Sequence, residues 1–176
     1  MANCCCYDMR VVGKSKEAVL RMGKILGYED PEFFLYRVMD MTQHDKKPIK
    51  DGDYWRIDYL GDVAWAADPW VDDAPDPNSK SKSGAHYSNL PEICKALGVG
   101  VEVWAQEIGM GIQEHFIVNP CGTISVNDSY GNLEAKEDEE DVTRLIGGFG
   151  DDFLIWFPVG DIMETYGEED DGEGED

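Results

Sequence analysis

The sequence predicts an α+β fold in which helices cover one face of an antiparallel sheet, followed by an acidic tail without order. Three observations predict it. Two capped segments carry apolar residues at helical spacing, each sits between β-prone runs, and short strands separated by Gly, Pro and Asn follow the second.

Residues 7–13 alternate weakly and form a first strand ending at Gly13. Ser15 then caps a helix in which Val19, Met22, Ile25 and Leu26 recur on one face, and Gly27 is its stop. Asp30-Pro31 breaks the chain before 33–39, a second strand with a short helix as the alternative, and the lysine-bearing stretch 43–52 reads as a loop. Residues 54–60 alternate and are rich in aromatics, which predicts a strand; Gly61-Asp62 predicts a turn and 63–66 a further extended piece. Between 68 and 84, prolines, acids and serines without an apolar period predict a long surface loop. Asn89 caps the next helix, with Glu92 completing a capping box, Pro91 in the first turn and Gly98 at the end. Strands at 99–105, 114–118 and 123–126 follow. A last helix is expected over 134–145, weakened at its start by like charges, and the apolar run 153–157 reads as a buried strand. After Glu164 the Gly-rich acidic tail cannot bury enough apolar surface to order itself. The chain thus reads as one domain over 1–163, with an appended element at 133–163, and a disordered tail at 164–176. The order of helices and strands favours a ferredoxin-like arrangement.

Thirty-seven Asp and Glu stand against 15 Lys and Arg, a net charge of −22. Seven of the acids lie in 167–176 and a net −5 lies in 134–141, which leaves −10 on the remainder, so the body itself is acidic. Binding nucleic acid requires cations that release counterions from phosphates, so no direct nucleic-acid binding is expected. The expected partners are basic protein surfaces, including those that hold nucleic acid. No apolar run reaches the ~20 residues of a membrane-spanning helix, and residues 1–8 lack the basic flank and apolar stretch of a signal peptide. Five cysteines, an odd number with three adjacent, do not read as an extracellular disulfide framework; a reducing cytoplasm is the expected compartment.

Signals for catalysis and cofactors are weak. Adjacent Cys4, Cys5 and Cys6 alternate across a strand, and Cys94 and Cys121 are isolated, so no four-ligand metal set forms. Glu114 and His115 are neighbours on a predicted strand and face opposite ways, so Glu114 does not orient His115; a Cys121–His115 pair carries no local signature. Gly109-Met110-Gly111 lacks the third glycine and the lysine of a phosphate cradle. The acids Asp68, Asp72, Asp73 and Asp76 lack the ligand pattern of a calcium loop and read as solvated. No metal, cofactor or catalytic residue is assigned. Trp55, Trp65 and Trp104 read as core, whereas Trp70, flanked by acids in the polar loop, is a candidate binding anchor.

Gly61-Asp62-Val63-Ala64-Trp65, together with Glu102-Val103-Trp104, Glu107, Gly109 and Gln113-Glu114-His115-Phe116, resembles the YubB-like ferredoxin-like proteins of phages, plasmids and conjugative islands. Met1-Ala2-Asn3 and Cys5 match that family's usual start, with Cys4 in place of a Trp, Val63 in place of a Cys and Ile112 in place of a Phe. The resemblance covers roughly residues 1–126. It implies a ferredoxin-like fold and a mobile-element setting, in which proteins counter host defences or regulate transfer; it implies no activity.

The leading expectation is a non-enzymatic acidic binding protein that occupies a basic, nucleic-acid-binding site on a host protein, in concrete form an anti-CRISPR-like DNA mimic. A small hydrolase or metal-dependent enzyme, and a structural or regulatory module of a transfer complex, are the alternatives. The expected partner-binding residues are Glu137, Asp138, Glu139, Glu140 and Asp141, then Asp72, Asp73 and Asp76 with Trp70.

Overall fold

The computed structural model describes residues 3–137, 140 and 142–164; Asp138, Glu139, Asp141 and the predicted tail from 165 onward lie outside them. In chain order the elements are β1 (Cys4–Gly13), α1 (Lys16–Leu26), β2 (Phe33–Leu35), β3 (Val38–Gln43), β4 (Ile49–Asp51), β5 (Tyr54–Ala64), α2 (Pro69–Asp72), β6 (Asp76–Lys80), β7 (His86–Ser88), α3 (Leu90–Leu97), β8 (Val99–Glu107), β9 (Ile112–Val118), β10 (Ile124–Tyr130), β11 (Glu134–Glu137), β12 (Thr143–Ile146) and α4 (Val159–Met163). Seven strands make the main sheet, in the order β10-β9-β8-β1-β5-β3 with β4 also on β5, and every pair is antiparallel. Strands β2, β7 and β6 form a second, smaller sheet, and β11 and β12 form a separate hairpin.

Alternation along the central strands decides which face is core. Cys5, Tyr7, Met9 and Val11 of β1 are buried, flanked by Ile57, Tyr59 and Val63 of β5 and by Val101, Val103 and Ala105 of β8. Helix α1 lays Val19, Met22, Ile25 and Leu26 on that face, and α3 lays down Leu90, Ile93 and Cys94. Burying each of the larger side chains contributes about 1.5–3 kcal/mol. Both helices start at the predicted caps: the Ser15 hydroxyl accepts from the Ala18 N–H and the Asn89 side chain from the Glu92 N–H. Gly98 ends α3 in the left-handed region, at φ 63°.

The ferredoxin-like arrangement with helices on one face is corrected by this architecture. The described residues are 45% strand and 19% helix, so sheet rather than helix dominates. Helix α4 packs on the opposite face, where Ile162 and Met163 meet Val12 and Ile117. The expected helix at 134–145 is instead the β11–β12 hairpin, consistent with like charges that repel one turn apart on a helix and separate along a strand. The run 153–157 forms no strand and leaves Leu154, Ile155 and Phe157 exposed. The single strand expected at 33–39 is two, broken at Tyr36-Arg37, with Arg37 at φ 63°. Part of the supposed loop at 68–84 folds as α2 and β6, and 43–52 contains β4. No turn forms at Gly61-Asp62; β5 runs straight through. Gly61 serves another purpose, because a Cβ there would stand 2.1 Å from the Asp40 carbonyl oxygen of β3.

Among the described residues no helix is long and apolar enough to cross a membrane.

Candidate functional site

The second face of the main sheet is polar, and it is divided. Its side chains are Cys6, Asp8 and Arg10 on β1, Arg56, Asp58 and Asp62 on β5, Glu102 and Trp104 on β8, and His115 on β9, the alternates of the buried set. The segment from Phe149 to α4 covers the β8–β9 half and overlaps β1, where Trp156 stands over Arg10 at 4.6 Å and Ile162 and Met163 pack on Val12. The rest of the β1–β5–β3 half is open, with Asp40 exposed and Asp8 and Asp62 half-buried.

The covered half is a closed network. Glu102 Oε1 lies 2.8 Å from His115 Nε2 and accepts from Trp104 Nε1 at 3.1 Å, while Glu102 Oε2 accepts from the Phe157 N–H at 3.0 Å. The imidazole stacks on Trp104, with ring centres 3.6 Å apart and planes within 8°, and Phe149 and Phe157 stand against it. Gln113 Oε1 accepts from the Phe149 N–H and fastens the start of the covering segment. His115 is 3% and Glu102 0% exposed. A histidine enclosed by rings, its carboxylate already bonded three times over, meets no substrate; it clamps the C-terminal segment to the sheet. Glu114 faces the other way, as its neighbouring position on the strand requires, and Cys121 bonds Thr123 at the surface. Neither pairs with His115.

The open half carries charge without neutralisation. Arg10 makes a bidentate pair with Asp58, both bonds 2.8 Å, and Arg56 reaches Asp51 and Asp58. Both arginines of this face are thereby committed. Asp8, Asp40 and Asp62 make no salt bridge with any described residue. Asp40 and Asp62 stand directly opposite each other across β3 and β5, brought there by a bulge between Val38 and Asp40. Like charges so placed oppose sheet formation by about 0.2–1 kcal/mol. Partial burial, together with the charge of Asp58, raises the Asp8 carboxyl above its ordinary range. Burial and the neighbouring Asp62 push the Cys6 thiol up to about 11, so it stays protonated at neutral pH. Beside the carboxylates lie exposed Cys4, with its sulfur 3.9 Å from that of Met39, and exposed Trp65 just beyond β5.

On the core face one carboxylate titrates near neutrality. Burial pushes Glu114 up to about 7, against two backbone bonds from the Ala67 and Asp68 N–H groups at 2.7 and 3.0 Å. It lines a cleft of about 240 Å³ with Asp68, Asp72 and Tyr130.

The predicted partner-binding residues fare unequally. Trp70 is not a surface anchor: it is 0% exposed, packs edge-on to Tyr7 and donates its indole N–H to the Tyr36 carbonyl. Apolar surface drew it inward from a polar segment. Asp72, Asp73 and Asp76 are exposed, as are Glu137 and Glu140. Among the described residues no group of three or more His, Cys, Asp or Glu is placed to hold a metal ion. Asp8 was legible as an acid alternating with core residues on 7–13; Asp40 and Asp62 carry no local signal, because strand register alone brings them together. Glu102 escaped sequence reading, although it shares a strand face with Trp104, the residue paired with His115.

Comparison with family models, with curated proteins and with solved structures yields no match.

Proposed function

We propose that this chain is a non-enzymatic binding protein whose open, acidic sheet face occupies a basic, nucleic-acid-binding surface on a partner protein. The observation that supports the reading is that Asp8, Asp40 and Asp62, on β1, β3 and β5, make no salt bridge with any described residue while both nearby arginines are committed to other acids. Carboxylates held by strand register lose little freedom on docking, which keeps the entropic cost of association low. Complementary charge speeds encounter and selects the partner, and apolar contacts supply affinity. Trp65 and Met39, 47% and 54% exposed beside the carboxylates, take the anchoring role first given to Trp70. An anti-defence inhibitor that stands in for DNA, carried by a mobile element, is the concrete form of this function.

The test is capture from host extract on the immobilised chain, followed by a salt gradient and competition with duplex DNA. A partner that elutes with salt, is displaced by DNA and is lost from the D8N/D40N/D62N variant supports the reading. Retention of the same partner by that variant, or indifference to DNA, contradicts it.

One observation favours a hydrolase as the second reading: Glu114 titrates near 7 at the wall of a cleft, where a general acid or base works best at neutral pH. Hydrolysis of an ester, phosphoester or glycoside that vanishes in Glu114→Gln supports it; absence of turnover across those classes sets it aside.

A further inference from the structure

The small sheet carries a site of the opposite character. Between α1 and the small sheet lies a cleft of about 750 Å³, lined by Tyr28, Phe34, Tyr36, Arg37, Lys80 and Lys82 among others. That volume is within the range of small-molecule sites, roughly 300–1,000 Å³. Phe34 is buried and forms an aromatic floor, with its ring centre 5.7 Å from Tyr28 and 6.1 Å from Tyr36. The two tyrosine rings are 37% and 45% exposed, leaving aromatic surface free in the cleft.

The rim is cationic in a chain of −22. Arg10, Arg21 and Arg56 are all locked into salt bridges, whereas Arg37, Lys80 and Lys82 make none with any described residue.

The backbone supplies an independent sign. Tyr28 and Arg37 are non-glycine residues in the left-handed region, at φ 58° and 63°. Their surroundings hold them there: the Tyr28 hydroxyl donates to the Val38 carbonyl at 3.1 Å, and the Arg37 carbonyl accepts from the Ala64 N–H at 2.9 Å. Tyr28 takes this conformation as the residue that closes α1, where the Glu29 N–H bonds the Lys24 carbonyl; Arg37, between β2 and β3, ends no helix, and strain of its kind collects at ligand sites.

We propose that this cleft binds a nucleoside phosphate, its base stacked on Tyr28 and Tyr36 above Phe34 and its phosphates held by Arg37, Lys80 and Lys82. Flat aromatic surface recognises the π-face of a base, and guanidinium and ammonium groups recognise phosphate oxygens through charge-assisted hydrogen bonds. The acidic body selects against a long polyanion, because each added phosphate enters the field of the remaining carboxylates. A small nucleotide escapes that cost. The site lies apart from the acidic sheet face, and its occupancy is independent of the function proposed there.

Calorimetric titration of the full chain at low salt tests the assignment with four probes: ATP, adenosine, inorganic triphosphate and a short single-stranded oligonucleotide. ATP is expected to bind with a dissociation constant of tens of micromolar, on the order of −6 kcal/mol, and the isolated adenosine and triphosphate at least about tenfold more weakly. Removing the two exposed lysines in K80A/K82A should weaken ATP at least about tenfold, as loss of charge-assisted bonds does. Tyr36→Ala should weaken ATP and adenosine and leave triphosphate unchanged, a separation that general unfolding would not produce. No heat with ATP at millimolar concentration, equal affinity in wild type and K80A/K82A, or an oligonucleotide that binds more tightly than ATP would each overturn the proposal.

Discussion

On the β8–β9 half of the polar sheet face, Glu102 is buried and accepts from His115, Trp104 and the Phe157 backbone; on the β1–β5–β3 half, Asp8, Asp40 and Asp62 make no salt bridge with any described residue. The two halves share one sheet and one alternation, and they differ in what covers them. Burial makes an unpaired polar atom costly in the first half, so its charge serves folding. The second half is only partly buried, with Asp40 exposed, and solvent there tolerates opposed carboxylates that a buried site would not. Charge left over after folding is charge available to a partner.

Substitutions separate the halves most sharply through stability. Glu102→Ala strands two side-chain donors and a backbone N–H in a ring-lined interior, and should cost about 3–5 kcal/mol by urea unfolding, as breaking a buried pair does. A loss below about 1 kcal/mol would remove the distinction between the halves. Next in size is a pH effect from the core face. An ordinary glutamate titrates at 4.5 and Glu114 at about 7, so the folded chain holds the extra proton between these values. Its stabilisation is full below 4.5 and is lost as the pH rises through 7. Unfolding at pH 5 and pH 8 should therefore differ by about 2.5 kcal/mol from this group, and Glu114→Gln should abolish that part of the difference. The smallest effect has the opposite sign to the first. Neutralising Asp40 or Asp62 to Asn removes a like-charge opposition and should raise stability by about 0.2–1 kcal/mol, measured in the same urea series at low salt.

Sequence periodicity revealed the elements whose determinants are local. Ser15 and Asn89 capped α1 and α3 as expected, because a cap needs only three neighbouring residues, whereas the Glu92 carboxylate bonds the Ser88 hydroxyl and completes no capping box. The alternation of β1 and β5 was legible for the same reason, and the expected strand at 114–118 put Glu114 and His115 on opposite faces. Elements that depend on distant partners were not. Residues 134–146 combine acids with Val142, Leu145 and Ile146, a pattern that suits a poor helix or a hairpin, and strand pairing decided for the hairpin. The apolar run 153–157 was read as a strand, yet it lies across the face of the inner strands, where Phe153, Trp156 and Phe157 meet Trp104, Arg10 and His115, and it turns at Leu154, which sits at φ 65°. Trp70 looked exposed because its neighbours are polar; only the tertiary fold shows that the core reaches it. The acidic face was hidden for a related cause: Asp8, Asp40 and Asp62 come from three strands and meet only through register.

The most direct measurement is the association rate of the captured partner with the wild-type chain and with D8N/D40N/D62N, by stopped flow across a range of ionic strength. The account predicts that the wild type associates at least about tenfold faster than the variant at low salt, that the two rates converge as salt screens the ion pairs, and that bound duplex DNA blocks both. Equal rates at low salt in a variant that folds normally, or a partner that binds DNA and this chain at the same time, would contradict it.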